Sequence, residues 1–512
     1  MFTIDDRTVT WADHALAAQR VAQALRGEGV GEGERIAFLD RNGLEYFEVL
    51  FGGAMLGAVN VAVNWRLAPT EMAAVIDDAE ARVLVVHGDY LPCLAGMASG
   101  LPSVRRVVVI GDPKDHAEES GASDLARRVS YEEWVGEREP ADPGYQGKPE
   151  DVALQLYTSG TTGRPKGVML TNRNMAVGLT EAAPSTFGIS ASTVSLVAMP
   201  LFHIGGSGWA IAGMSLGGRS VILRDLDPAA IVRLVEAERI THAFLVPAAL
   251  MAVLAVPGLA RADLSSLHTI VYGASPIAED VLRRCIDMLG CRFAQVYGMT
   301  ETTGAIIRLD PEDHDPDGPR RHLLRAAGKP LPGVELRVVD PDTGEDVGVG
   351  EVGELWTRSV NNMLGYWGNP EETEATIRPD GWLCTGDAGY LDDEGYVFLH
   401  DRMKDMIVSG GENIYPAEVE NVLLAHPAVA DCAVIGVPDD KWGETVKALV
   451  VPAPATEVDG AEIIAFCREH LAHYKCPTSV ETIDTLPRNP SGKILKRELR
   501  EPYWEGRDRR IH

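Results

Sequence analysis

Two hydrophobic rhythms alternate along the first hundred residues. Leu16, Val21 and Leu25 follow Thr10, whose hydroxyl can cap a helix running through Ala24. ERIAFLD (34–40) is a short apolar run between polar residues and predicts a buried strand. Residues 44–56 then predict a helix, NVAVN (60–64) a strand, residues 70–79 a helix and RVLVVHG (82–88) a strand. Helix–strand alternation at this spacing predicts parallel sheets covered by helices. A second alternating region runs from about residue 172 to 276. Beyond it, VELRVVD, GVGEVGELWTR and GYVFLHD predict short antiparallel strands with Gly/Asp turns. Residues 311–326 mix acids and bases without a motif and are expected to form an exposed loop.

The pattern changes once more near residues 402–404. Pro416 opens the helical run AEVENVLLAH, CAVIGVP and KALVVP predict strands, and residues 461–471 a helix. The expected division is 1–402 and 403–512. The fold class is α/β: a large N-terminal domain of helix-covered sheets with a small barrel-like β region, and a smaller C-terminal α+β domain.

Length and charge narrow the function. A chain of 512 residues exceeds one ordinary core. With 47 Lys and Arg against 75 Asp and Glu, the net charge is −28. That excludes nucleic acid, which needs cationic patches, and disfavours an anionic membrane. It leaves ATP admissible, because salt screens distant charge over about 8–10 Å. Seven cysteines are scattered without a C-x-x-C and predict reduced thiols in a cytoplasmic protein. The N-terminus lacks a signal-peptide h-region, and no apolar run is long enough to span a bilayer. A homo-oligomer stays open.

The chemistry concentrates in YTSGTTGRPKG, Tyr157 to Gly167. Three Gly, three Thr, one Ser and one Lys can turn backbone N–H groups inward, add hydroxyl donors and supply a mobile cation. That set suits a polyphosphate. The spacing is not G-x-x-x-x-G-K-[ST], and VALQLY and GVMLT on either side read as strands. Taken alone, the run could equally be a Gly/Thr-rich surface hairpin.

YTSGTTGRPKG resembles the phosphate-binding signature of the adenylate-forming superfamily, which includes acyl-CoA synthetases, adenylation domains and luciferases. PLFH (200–203), YGASP (272–276), YGMTETT (297–303), GELW (353–356), TGD (385–387), DRMKDMIVSGGENIYPAEVE (401–420) and PRNPSGKILK (487–496) follow in the family's order. They cover the chain from about residue 151 onward.

The resemblance implies ATP, Mg²⁺ and coenzyme A as reactants, with a small carboxylic acid as substrate. Thr158, Ser159, Gly160, Thr161, Thr162, Gly163 and Lys166 would hold the β- and γ-phosphates. Glu301 would hold Mg²⁺, a hard cation that takes one or two carboxylates plus phosphate oxygens. Thr300 would bond the α-phosphate or the acid. Gly273, Ala274 and Ser275 would pack on adenine, with Tyr297 beside the nucleotide. Asp387 and Arg402 would hold the ribose. Lys493 is the implied catalytic lysine and Lys404 the implied hinge. Gly410 and Gly411 would leave room for pantetheine, with Gly298 beside the acyl and thiol path.

His203 stands where amino-acid-activating relatives usually carry an Asp, so an α-amino acid is disfavoured. It would gate the acyl pocket, with Gly205 and Trp209 lining it. The small residues after His203 could instead serve helix packing. The implied function is an acid:CoA ligase acting on a fatty or bulky hydrophobic acid. Rivals are an aryl-acid:CoA ligase, an acyl-AMP ligase that loads a carrier protein, and a catalytically silent homologue.

Overall fold

The computed structural model describes the chain apart from residues 6, 96–100, 112–127, 137, 160–164, 276, 278, 403–404, 411, 440, 457, 489–492 and 506–512. Among the described residues the strands form four sheets. The first has nine strands. In spatial order they are Lys329–Pro330, Gly304–Leu309, Arg292–Met299, Thr269–Gly273, His242–Leu245, Val194–Val197, Arg219–Ile222, Phe2–Ile4 and Arg7–Val9. Neighbours from Arg292–Met299 to Phe2–Ile4 are parallel, and the outer pairs are antiparallel. His242–Leu245 and Thr269–Gly273 are buried throughout, as parallel strands covered on both faces must be.

The second sheet has eight strands: Gly365–Tyr366, Pro165–Thr171, Val152–Ser159, Val59–Ala62, Arg35–Leu39, Val83–His87, Arg106–Ile110 and Arg128–Ser130. The strand expected at 60–64 thus begins and ends earlier, and the helix expected at 44–56 is Leu44–Ala54. The third sheet is antiparallel, Glu335–Val339, Gly353–Arg358, Leu383–Leu391 and Val397–Arg402. The last contains Ile407–Ser409, Glu412–Ile414, Val429–Asp439, Gly443–Pro452 and Ser479–Thr482. The helices Pro416–Leu424 and Gly460–His470 help close its own core, around Val419, Leu423, Val434 and Ile463. No helix among the described residues is long and apolar enough to cross a membrane.

Two expectations need correction. Thr10 does cap a helix, reciprocally with Asp13, but the helix is Trp11–Gly27 and Leu16 is not on its buried face. Val21 and Leu25 are buried, whereas Leu16 lies about 140° around the helix from Val21. The segment 311–326 is not simply an exposed loop. Leu323 and Leu324 are buried, and so is His314. The His314 ring spans the Asp310 carbonyl at 2.8 Å and the Tyr272 hydroxyl at 3.1 Å. The charged residues of this segment concealed these apolar anchors and a buried polar one.

The two large sheets meet at Asn42. Its amide donates to Met199 O at 3.1 Å and Leu223 O at 3.0 Å, and its oxygen accepts from Leu201 N at 3.0 Å. Asn42 follows a strand of the second sheet, and its partners follow strands of the first. Beside it, Asp40 pairs with Arg224 at 2.8 Å. Burial raises the Asp40 pKa, against the pull of Arg224. Asn42 therefore sets the backbone just before His203.

Asn42→Ala is expected to cost about 2–4 kcal/mol, since it strands two carbonyls and one N–H. Urea denaturation reads this directly; an unchanged midpoint would mean that the joint rests elsewhere.

Candidate active site

The sequence motifs gather where parallel strands end. Strands finishing at Val197, Gly273 and Met299 lead into the PLFH, GAS and TET segments of the first sheet. In the second, Val59–Ala62 runs parallel to Val152–Ser159, which leads into the glycine-rich turn. Open α/β sheets bind ligands at these carboxyl ends.

The phosphate-loop candidate lies between two paired strands. Val152–Ser159 pairs antiparallel with Pro165–Thr171, and Thr158 lies opposite Lys166. Gly160, Thr161, Thr162 and Gly163 fall outside the described residues, as does the side chain of Ser159. Gly167 is held tightly, since a Cβ there would lie 2.6 Å from Gln155 Nε2. Lys166 forms an ion pair with Glu372, and its Nζ lies 5.2 Å from the centre of the Tyr366 ring.

Glu301 sits in the short turn Thr300–Thr302 and is 6% exposed. Tyr366 donates its hydroxyl to Glu301 Oε1 at 3.0 Å. The Glu301 carbonyl accepts from Met363 N at 2.8 Å. Thr300 is half-buried beside it. Burial and the nearby Glu301 push the Tyr366 phenol pKa up, so it stays protonated and donating. No three His, Cys, Asp or Glu side chains converge as a metal cage among the described residues. A lone buried carboxylate fits Mg²⁺ that takes its other ligands from phosphate and water.

Gly273, expected beside adenine, and Gly298, expected beside the acyl and thiol path, both sit where backbones crowd. A Cβ at Gly273 would lie 2.2 Å from Val296 O, and one at Gly298 only 1.9 Å from Gly304 O. Ala274 adopts φ +69°, a left-handed conformation costly for a residue with a Cβ. Ser275 follows, half-buried. Tyr297 donates to Asp387 Oδ2 at 2.6 Å, which joins the first and third sheets. Asp387 lies opposite Arg402 in the antiparallel ladder, so those two positions are brought together. The Arg402 side chain is outside the described residues.

His203 precedes the helix Ile204–Ser215. Its ring packs on Phe202 with centroids 4.5 Å apart, and Nε2 has no hydrogen-bond partner among the described residues. Burial, helped by the charge of Arg66, pushes its pKa down to about 4. It is neutral at physiological pH. Gly205 faces the Phe244 ring, where a Cβ would lie 2.9 Å from a ring carbon. Gly206 meets Pro200 O at 2.1 Å on the same test, so close helix packing explains that glycine. Trp209 is buried, donates to Leu196 O at 3.0 Å and packs near Phe187 and Phe244.

On the C-terminal side, Gly410 adopts φ +62° and lies under the Trp442 ring. Gly411 and Lys404 fall outside the described residues. Lys493 is half-buried, just before the Ile494 bridge to Arg488. Flanking ion pairs, Arg488–Asp431 and Lys496–Glu420, fix that stretch to the C-terminal sheet and helix.

The motifs did not point to Tyr366, Glu372 or Asn42. Tyr366 lies in a two-residue strand, and Glu372 is one acid among several in NPEETEAT. Their partners are 65 and 206 residues away, a separation no local pattern reports.

The AMP-binding enzyme model matches residues 1–367, and the AMP-binding enzyme C-terminal domain matches 418–493. A fatty acid–[acyl-carrier-protein] ligase, ScoC of Streptomyces coeruleorubidus, is 39% identical, across 99% of this chain and 94% of its own. A feruloyl-CoA synthase of an Amycolatopsis species is 40% identical, across 97% and 94%. The ATP-bound crystal structure of MatB from Rhodopseudomonas palustris superposes with a TM-score of 0.87 at 30% identity, across 98% and 95%. This chain belongs to the AMP-binding enzyme family, within the adenylate-forming superfamily, and is an AMP-forming acyl-CoA synthetase.

Proposed function

We propose that the chain activates a fatty or otherwise bulky, hydrophobic carboxylic acid and passes it to coenzyme A. The observation that carries the acid's class is His203. A neutral, desolvated imidazole offers no anion to pair with a substrate ammonium, and its surroundings include Phe202 and Ile204. Desolvated apolar walls favour an uncharged acyl body.

In the first half-reaction, a carboxylate oxygen of the acid attacks the α-phosphorus and pyrophosphate leaves. Lys166, Thr158, Ser159 and the intervening loop would hold the β- and γ-phosphates. Asp387 and Arg402 would hold the ribose, while Gly273 to Ser275 allow close approach to adenine. Thr300 would orient the reacting oxygens, and Glu301 would hold Mg²⁺, which neutralises phosphate charge when bound. Lys493 would bring an ammonium between carboxylate and α-phosphate as negative charge builds there. In the second half-reaction, the thiol sulfur attacks the acyl carbon and AMP leaves. Residues 403–512 would turn about Lys404 between the steps, bringing Gly410 and Gly411 to the thiol path.

A carrier protein's phosphopantetheine is the second reading for the acceptor. The relative ScoC, named for that acceptor, matches nearly the whole chain. Feruloyl-CoA synthase likewise keeps an aryl acid in view. Acid-dependent ATP–pyrophosphate exchange with fatty and aryl acids, followed by thioester detection with coenzyme A and with a holo carrier protein, tests all three. Preference for charged or amino acids would overturn the reading of His203.

Lys493→Ala is expected to slow adenylate formation by about 10²–10³-fold. Thioester formation from supplied acyl-adenylate should persist; equal loss in both steps would remove Lys493 from its assigned role. With Glu301→Gln, pyrophosphate exchange should need more Mg²⁺, because an amide is a poorer ligand for a hard cation. Unchanged Mg²⁺ dependence would take Glu301 out of the metal site. Lys404→Pro should instead let adenylate accumulate while thioester formation falls, since proline fixes φ near −65° at the pivot. Single-turnover assay of both products, with a melting control for folding, reads that outcome; two intact steps would place the pivot elsewhere.

A further inference from the structure

Lys166 already has an anionic partner. Its side chain is 10% exposed, and an ammonium so far from water needs a counter-ion. Glu372, from the short helix Pro370–Thr376, supplies one by direct ion pairing. The Tyr366 ring lies on the same ammonium, while its hydroxyl reaches Glu301. One tyrosine therefore touches both the loop cation and the carboxylate assigned to the metal. Tyr366 is itself pinned, because its N–H donates to Thr373 Oγ1 at 2.9 Å on the helix that carries Glu372.

We propose that Glu372 competes with the β- and γ-phosphates of ATP for Lys166. This rests on the reading of Lys166 as a phosphate ligand. A lysine ammonium is a compact charge with three donors on a flexible stem, so it can exchange one oxyanion for another by side-chain rotation. Glu372 is 31% exposed, so when displaced it turns to water at little cost in desolvation. The exchange also runs in reverse. Once the α–β phosphoanhydride bond breaks and pyrophosphate forms, Glu372 recaptures Lys166 and favours departure of the product.

The test is equilibrium titration of Mg-ATP and Mg-pyrophosphate into the full chain and into Glu372→Gln, Glu372→Asp, Lys166→Ala and the Lys166→Ala/Glu372→Gln double variant. Glu372→Gln should bind both ligands about three- to tenfold more tightly, the scale of a partly exposed ion pair. Its single-turnover adenylation rate at saturating ATP should change little, so the effect appears in the affinities for Mg-ATP and Mg-pyrophosphate. The gain should vanish when Lys166 is absent. Glu372→Asp, which keeps the charge but withdraws it by one methylene, should fall between wild type and Glu372→Gln. It also keeps the test open if the amide variant is too unstable to assay. Weaker or unchanged binding in both Glu372 variants, with Lys166→Ala still impaired, would overturn the competition. A gain that persists without Lys166 would overturn it too, by showing simple repulsion between Glu372 and phosphate. If Lys166→Ala alone leaves both affinities unchanged, the phosphate-ligand reading fails first and the competition falls with it.

Discussion

Everything in the N-terminal part of the site depends on holding two separate sheets together. Lys166 belongs to one and Glu301 to the turn after a strand of the other. Buried polar groups of Asn42 make the joint at one place. The segment from Asn361 to Trp367 makes it at another. Its Met363 N–H serves the Glu301 carbonyl, while Leu364 and Trp367 donate to Met169 and Gly167 of the hairpin. Backbone hydrogen bonds on both sides leave this strap little freedom to shift, because a slip would strand buried donors and acceptors. Tyr366 lies within it, and that is why one side chain can meet both Lys166 and Glu301.

A net charge of −28 does not by itself bar a polyanion. Long-range repulsion is screened, whereas the groups that matter are close and partly dry. Lys166 comes with a ring and a carboxylate rather than with bulk solvent around it. His203, by contrast, is kept neutral by burial and by the neighbouring charge of Arg66. The same scaffold thus holds a paired cation at Lys166 and an uncharged imidazole at His203. Arg488 and Lys496, which flank Lys493, are fixed to Asp431 and Glu420 of the small C-terminal core. Such an attachment suits a cation needed in only one of two steps.

Much of the architecture was legible because it is written in local periodicity. The strands at 35–39 and 83–87 and the helix opened by Pro416 follow directly from apolar runs and proline placement. The helix after Thr10 was legible through its N-cap threonine, but Leu16, apolar like Val21, lies about 140° around the helix from it and is exposed. The segment 311–326 misled for the opposite reason: a dense charge pattern masked Leu323, Leu324 and His314, whose burial depends on distant partners such as Tyr272. In the site, motif residues were visible as types and spacings. The pairing of Tyr297 with Asp387, and of Lys166 with Glu372, was not, because each joins strands or helices distant in sequence.

The central claim is that the acid is activated as a mixed anhydride with AMP. Heavy-isotope labelling of the acid's carboxyl oxygens tests it most directly. The protein, ATP, coenzyme A and the labelled acid are incubated together, and the nucleotide product is analysed by mass. Attack of the carboxylate on the α-phosphorus, followed by departure of AMP from the acyl carbon, leaves one labelled oxygen on the phosphate of AMP. Unlabelled AMP, or label recovered in inorganic phosphate together with ADP, would contradict the account.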